Sequence, residues 1–440
     1  MTDDLLEYAD RVWRGEASTK VYHSGELRRE GLREVADGAW MWPAFGNVYL
    51  FPTSDGLFCY DTGEKRTAAD LHAAVRARTD APLHTAVYSH GHIDHVFGVA
   101  PFDAEAAERG APRPLVVAHE NTPPRFRRYA ATAGYNGVIN QRQFQRPDFQ
   151  WPTDYRHPDL TYSDRTDLRV GDLDVRLRHA RGETDDATIA WLPERGILCC
   201  GDFFIWSSPN PGNPQKVQRY ALEWAQALRW MASLGAEILL PGHGVPIVGA
   251  ERIRTALTDT ADFLQTLHDQ TLAAMNAGAT LDEVVHEVTA PAELLRKPYL
   301  KPSYDEPEFV VRNLWRLYGG WYDGDPSHLK PARRSELSRE IAQLTGGADR
   351  LAERARELLA RGEHRLAGHF AQLAADAAPD DKDAHAARAE VFAALEKAAT
   401  STMAKGVYAW AAAESRAVLA GDDLDSQLRA RTAGRTRWAI

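Results

Sequence analysis

The sequence predicts an α+β fold in which two sheets are covered by helices, followed by an all-α region. Three observations carry that expectation. Up to about residue 250, short apolar alternations are separated by Gly-, Asp- and Pro-bearing turns, with occasional helical stretches between them. Beyond it, long segments carry helical apolar spacing and little strand signal. Early in the first part, His90-Gly91-His92-Ile93-Asp94-His95 crowds three imidazoles and a carboxylate onto one short loop. The expected organisation is a catalytic domain over 1–250, a helical and aromatic connector over 251–334, and an α-helical domain over 335–440.

Taken in order, Gly46–Tyr60 forms two strands around the turn Thr53-Ser54-Asp55-Gly56, closing on Asp61-Thr62-Gly63. A helix at about Ala68–Thr79 precedes the strand His84–Tyr88, which delivers the histidine loop. Leu168, Val170, Leu173, Val175 and Leu177 alternate about Gly171-Asp172. Thr188–Leu192 and Ile197–Cys200 flank the turn Pro193–Gly196. A helix over about Ala221–Ser233 leads to the short strand Ile238–Leu240, which runs into Pro241-Gly242-His243-Gly244. Residues 251–289 have helical spacing, and Pro298, Pro302 and Pro307 break the stretch that follows. Leu317–Asp325 is an aromatic, glycine-rich turn segment. From about 335 onward, Gly362, Ala367, Ala374 and Pro379 fit the small-residue and stop positions of one tetratricopeptide-like window. A helical bundle with alanine-lined contacts accounts for most of the remainder.

At 440 residues the chain has room for more than one domain. A net charge of −10 argues against duplex nucleic acid or an anionic membrane surface as the main partner. No window reaches membrane-spanning length, and the acidic start Met1–Glu7 is no secretory signal. Cys199 and Cys200 are adjacent, where a disulfide is badly strained, and Cys59 has no evident partner. A reducing, cytoplasmic setting is therefore expected.

Ligand-type residues this dense cannot all point one way from a strand or a helix. They need a tight loop at a strand end, which Gly91 permits. Neutral imidazoles crowded with a carboxylate suit a borderline divalent metal, zinc first, and the two groups suggest two ions. Further ligands are then needed at other strand ends. Three downstream turns qualify: His179–Thr184 with Gly182-Glu183, Gly201-Asp202, and Gly242-His243-Gly244.

In this order the segments resemble the metallo-β-lactamase-fold hydrolases, with H-x-H-x-D-H, a Gly-His turn, Gly-Asp and Pro-Gly-His. The resemblance covers about residues 35–250 and implies an αβ/βα sandwich with a dimetal site at the sheet edges. It implies that His90 and His92 serve one metal and Asp94, His95 and His243 the other, with Asp202 bridging. Gly182-Glu183 stands where the general family has Gly-His; Glu183 is the expected third ligand and His179 the alternative. That exchange leaves the site less positive by one and widens the choice from Zn2+ towards Mn2+ or iron. Two such ions would lower the pKa of a shared water from about 16 to roughly 7, supplying hydroxide for hydrolysis.

A glutamate at that position resembles the alkylsulfatase branch of the fold. So do His268-Asp269-Gln270-Thr271 with Met275–Gly278, the joining segment Leu317–Pro326, and Thr345–Asp349 ahead of a region similar to that branch's dimerisation domain. The resemblance implies a homodimer that cleaves small alkyl sulfate esters bearing an apolar chain. A sterol-carrier-like terminal domain, found in many such enzymes, is expected to be absent. Sulfate needs donors beyond the metals. Asn136 and Arg142, in a segment that lines up with the branch's substrate segment, join Asp94 as catalytic candidates, an ordinary polar loop being the alternative. Two departures stand out: Gly201-Asp202 replaces a Glu-Asn segment, and the acidic stretch Ser303–Glu308, whose lining would repel sulfate, replaces a histidine-bearing one. They keep open a carboxylic ester, lactone or thioester as substrate, and an iron-dependent oxidoreductase on the same fold as a different class. The run Phe203–Pro211 is expected to be a surface loop that forms an apolar substrate wall around Trp206.

Overall fold

The computed structural model describes residues 5–19 and 31–432. The head of the acidic start, Met1–Asp4, and the last residues of the 335–440 region lie outside them. In the first sheet β1 (Arg33–Ala36), β2 (Ala39–Trp42), β3 (Val48–Thr53) and β4 (Gly56–Tyr60) form an antiparallel meander. It continues in parallel through β5 (Leu83–Val87), β6 (Leu115–His119) and β7 (Leu160–Tyr162). The second sheet comprises β8 (Arg165–Val170), β9 (Leu173–His179), β10 (Thr188–Leu192), β11 (Ile197–Gly201), β12 (Ile238–Pro241) and β13 (Ile247–Val248), side by side in that order. Its pairs are antiparallel except β11 with β12.

Alternation along each strand decides what the two faces bury. In β3 and β4, Tyr49, Phe51, Phe58 and Tyr60 point inward, where they meet Val175, Leu177, Ile189 and Leu198 of the second sheet. Their neighbours Leu50, Leu57 and Cys59 point outward against Leu71, Val75, Phe102 and Phe126. Those last four belong to α2 (Ala68–Arg76), α3 (Ala100–Glu108) and α4 (Thr122–Ala131), all downstream of α1 (Leu5–Trp13). The second sheet is covered by α6 (Ala221–Ala232) and α7 (Ala250–Asn276), through Trp224, Leu228, Leu257 and Leu264. Polar bonds sew the sheets together near the ligand turns: Tyr49 Oη donates to Pro241 O (2.6 Å) and Tyr60 Oη to Thr188 O (2.6 Å).

The segment containing Asn136 and Arg142 is a helix, α5 (Ala133–Phe144), and not a loop. After α8 (Leu281–Glu287), closed by a Thr280/Glu283 capping box, come α9 (Ala292–Leu295) and α10 (Pro307–Gly319). The helix α10 takes in the start of the expected aromatic turn. The remaining helices are α11 (Arg334–Thr345), α12 (Ala348–Ala360), α13 (His364–Ala377), α14 (Lys382–Ala398), α15 (Thr402–Ala420) and α16 (Leu424–Thr432). α12 and α13 turn about Gly362, with Ala367 and Ala374 buried, as in the tetratricopeptide-like window. α15 also reaches back to the first half of the chain. Gln145 Nε2 donates to Gly406 O (2.9 Å), and a Cβ on Gly406 would run into the backbone of Gln143. Among the described residues no helix is long and apolar enough to cross a membrane.

Candidate metal centre

Strands of both sheets release parts of the site, β5 from the first and the parallel neighbours β11 and β12 from the second. The loop after β5 carries His90, His92, Asp94 and His95, the turn after β11 carries Asp202, and the turn after β12 carries His243. The first loop is fixed by Gly91 N donating to Asp186 Oδ2 (2.9 Å), and a Cβ at Gly91 would press on Arg125 and Asp186. Glu183 enters from the turn after β9.

The ligand atoms gather in two groups, His90, His92, Glu183 and Asp202 in one and Asp94, His95 and His243 in the other. In the first, His90 Nε2 and His92 Nδ1 stand 2.7 Å apart, each 3.5 Å from Glu183 Oε2. In the second, Asp94 Oδ2 lies 3.4 Å from His95 Nε2 and 3.5 Å from His243 Nε2. Asp202 stands between the groups. Its Oδ1 is 3.5 Å from His95 Nε2, and its Oδ2 is 3.2 Å from His243 Nε2 and 3.8 Å from His90 Nε2.

A second layer aims these atoms. Asp61 Oδ2 holds His95 Nδ1 at 2.7 Å, which turns Nε2 inward. Ser89 Oγ does the same for His90 Nδ1 at 2.9 Å. Glu183 Oε1 is taken by the Arg219 guanidinium and by Asn210 Nδ2 (2.8 Å), and Arg219 is anchored in turn on Asn210 O (2.9 Å). Only Oε2 is left to face the histidines.

The residues fit divalent ions. Ligands about 2.0–2.1 Å from a tetrahedral ion stand about 3.3 Å from one another, and most separations above fall close to that. His95 Nε2, Glu183 Oε2 and Asp202 Oδ1 are buried with no hydrogen-bond partner, an arrangement that a cation at their focus would satisfy. Burial, then the neighbouring His95 and His92, hold His90 well below its usual pKa and so keep it a neutral donor. Burial opposes ionisation of Glu183, yet Arg219 and then His92 hold it well below the usual carboxylate range.

Other expected residues lie elsewhere. His179 Nδ1 bonds Ala187 O (2.9 Å) and its ring stacks on His119, so the alternative third ligand stays outside both groups. Asn136 donates to Thr132 Oγ1 (2.9 Å), and Arg142 donates to Gln215 Oε1 (2.8 Å) beside the Trp410 ring. Six residues apart on a helix, these two side chains diverge by about 120° and cannot share one small anion on a common face. Trp206 is 3% exposed, donates to Val245 O (2.6 Å) and packs under Gly244. It supports the His243 turn from below and forms no substrate wall. The acidic stretch also turns away. Asp305, pushed up to about 7 by burial, accepts from Gly212 N (3.0 Å) and Glu306 N (2.9 Å), Glu306 takes the Ser401 hydroxyl, and Glu308 pairs with Arg365 (2.7 Å). The sequence reading missed Asp61, Asn210 and Arg219. Asp61 alone carried a signal, as a carboxylate closing the strand beside β5.

Two family models match this chain: the metallo-beta-lactamase superfamily over residues 41–243 and alkyl sulfatase dimerisation over residues 280–417. The fold is an alkylsulfatase-like metallo-β-lactamase fold. A linear primary-alkylsulfatase from a Pseudomonas strain is 26% identical over 408 residues, covering 85% of this chain and 74% of that protein. An (R)-specific secondary-alkylsulfatase from Pseudomonas is 27% identical over 435 residues, covering 90% of this chain and 64% of its own length. The solved structure of a stereoselective inverting sec-alkylsulfatase from Pseudomonas superposes with a TM-score of 0.77 at 24% identity, over 88% of this chain and 65% of that one. The alkylsulfatase-like fold thus extends from the sandwich through the C-terminal helices, and this chain spans about two thirds of its relatives' length.

Proposed function

We propose that this protein is a binuclear metal-dependent hydrolase of alkyl sulfate esters. The observation that carries the reading is the pair of ligand groups flanking Asp202, in a chain whose C-terminal helices match alkyl sulfatase dimerisation. His90, His92 and Glu183 would hold one ion and Asp94, His95 and His243 the other, with Asp202 within reach of both groups. Zinc suits this nitrogen and oxygen donor set best. Bound there, two divalent ions supply Lewis acidity and bring the pKa of a shared water to about 7. The chain's own residues do the rest. Asp61 and Ser89 set the ring tautomers, and Arg219 and Asn210 orient Glu183. The carboxylates of the acidic stretch are directed to Gly212, Ser401 and Arg365 and not to the ligand groups. The C-terminal helices mediate a homodimer. Cys59, Cys199 and Cys200 are buried free thiols, which suits a cytoplasmic location.

The test is metal analysis of the purified protein, followed by a panel of alkyl sulfates, lactones and thioesters scored by released sulfate or acid. About two equivalents of zinc with sulfate release are expected. Brisk lactone or thioester turnover with no sulfate from any alkyl sulfate would overturn the reading.

A further inference from the structure

Two side chains beside the metal groups have no task in the account above. Lys216 lies on the segment between Asn213, whose carbonyl accepts from its backbone N–H (3.2 Å), and Arg219. Its ammonium stands 5.5 Å from the centroid of Trp151. Trp151 lies 5.0 Å from the Tyr129 ring, and Tyr129 lies 6.2 Å from His92, so one wall runs from Lys216 to the first ligand group. Among the described residues, no carboxylate lies within ion-pair distance of the Lys216 ammonium. The charges it feels are Arg219, Glu183 and Asp94, which include one carboxylate from each ligand group. Burial and then Arg219 push it down to about 8, so it still carries its proton at neutral pH. Those carboxylates are committed inward, to the histidines and to the focus of each group. A half-buried cation left without a counter-ion is costly unless an anion arrives to pair with it.

Tyr304 shares Met403 with the segment that carries Lys216: Met403 N donates to Tyr304 O (3.3 Å), and Asn213 Nδ2 donates to Met403 Sδ (3.1 Å). Its phenol lies in the field of the same three groups, Glu183, Arg219 and Asp94. Gln143 Nε2 donates to its oxygen (3.1 Å), so the phenolic proton remains available for donation. Burial, then Glu183, raises its pKa, and the group stays a neutral donor.

We propose that Lys216 and Tyr304 are the head-group contacts for the anionic ester, Lys216 by charge and Tyr304 by a hydrogen bond to an ester oxygen. The inference rests on the sulfate reading only for the negative charge of that head group. Metal-loaded protein and its Lys216→Met, Lys216→Gln, Lys216→Arg and Tyr304→Phe variants are compared by calorimetric titration with inorganic sulfate and by turnover of octyl sulfate. Zinc content serves as the check on the site.

Both neutral substitutions of Lys216 are expected to raise the sulfate Kd and the octyl sulfate KM about tenfold or more at unchanged zinc content, and Lys216→Arg to restore most of the loss. Tyr304→Phe is expected to lower kcat about tenfold with KM nearly unchanged, because the bond strengthens as charge develops. A sulfate Kd and a KM within twofold of wild type in both Lys216→Met and Lys216→Gln would overturn the assignment, even if the protein cleaves alkyl sulfates. If the wild type releases no sulfate from any ester but binds inorganic sulfate in a Lys216-dependent way, the proposed function falls and the contact stands.

Discussion

Glu183 divides its oxygens between two tasks, since Oε1 is gripped by Arg219 and Asn210 while Oε2 faces His90 and His92. The guanidinium therefore acts on the ligand's direction as well as its charge. Arg219→Met should lower affinity for the first ion about 10- to 100-fold, the usual cost of losing an outer-layer partner, as read by zinc competition with a chromogenic chelator. An unchanged affinity would mean that Glu183 is held by packing alone. The ligand candidates were legible in the sequence because they stand in turns close behind strands: His90, His92, Glu183, Asp202 and His243 sit beside a glycine, and Asp94 and His95 share the loop of the first two. Arg219 does not announce itself, because its partner is 36 residues away and no local pattern surrounds it. Trp206 misled for a related reason. Ser-Pro-Asn-Pro does mark irregular backbone, but irregular backbone can still be buried when its aromatics pack on Tyr299 and Val245 accepts the indole N–H.

At the level of elements, hairpins were the readable part. β8 and β9 alternate and turn at Gly171-Asp172, and β10 and β11 turn at Pro193–Gly196, as the pattern required. The parallel strands β6 and β7 were not readable. Leu115–His119 is a short apolar run without alternation, and Leu160–Tyr162 is a three-residue edge. α5 was hidden by Gly134 and Gly137, which argue for a loop on propensity alone, and packing against α15 overrides that preference. The meeting of those helices depends on Gly406, where any Cβ would strike the backbone of Gln143. Gly406→Ala should cost about 1–3 kcal/mol through overpacking, seen as a lowered urea midpoint. It should also weaken turnover, because α5 carries the Gln143 that supports Tyr304. Full stability and activity in that variant would mean that the helices separate without consequence.

For the whole molecule, the ligand groups draw on turns from both sheets, so an ion held there ties the sandwich together. Removing metal with a strong chelator should lower Tm, and zinc should restore it in a concentration-dependent way. Mass action gives about 2.7 kcal/mol at a free metal concentration one hundred times Kd. A Tm indifferent to the chelator, with metal loss verified, would place the ions outside the stabilising framework. The broad architecture was legible because the change near residue 250 from strand alternation to helical spacing is large. What the sequence could not convey is that the late helix α15 returns to α5, since such contacts are set by tertiary packing across hundreds of residues.

That return path bears on how such a chain can be rearranged. Helix α15 lies late in the polypeptide, yet it stands on Gln143 and Gln145, and Ser303 takes up the Thr402 N–H on its way there. A recombination event that exchanged the C-terminal helices for those of a cousin would also exchange the footing of α5. Front and back halves of this molecule are therefore expected to be inherited together, as matched parts of one tool.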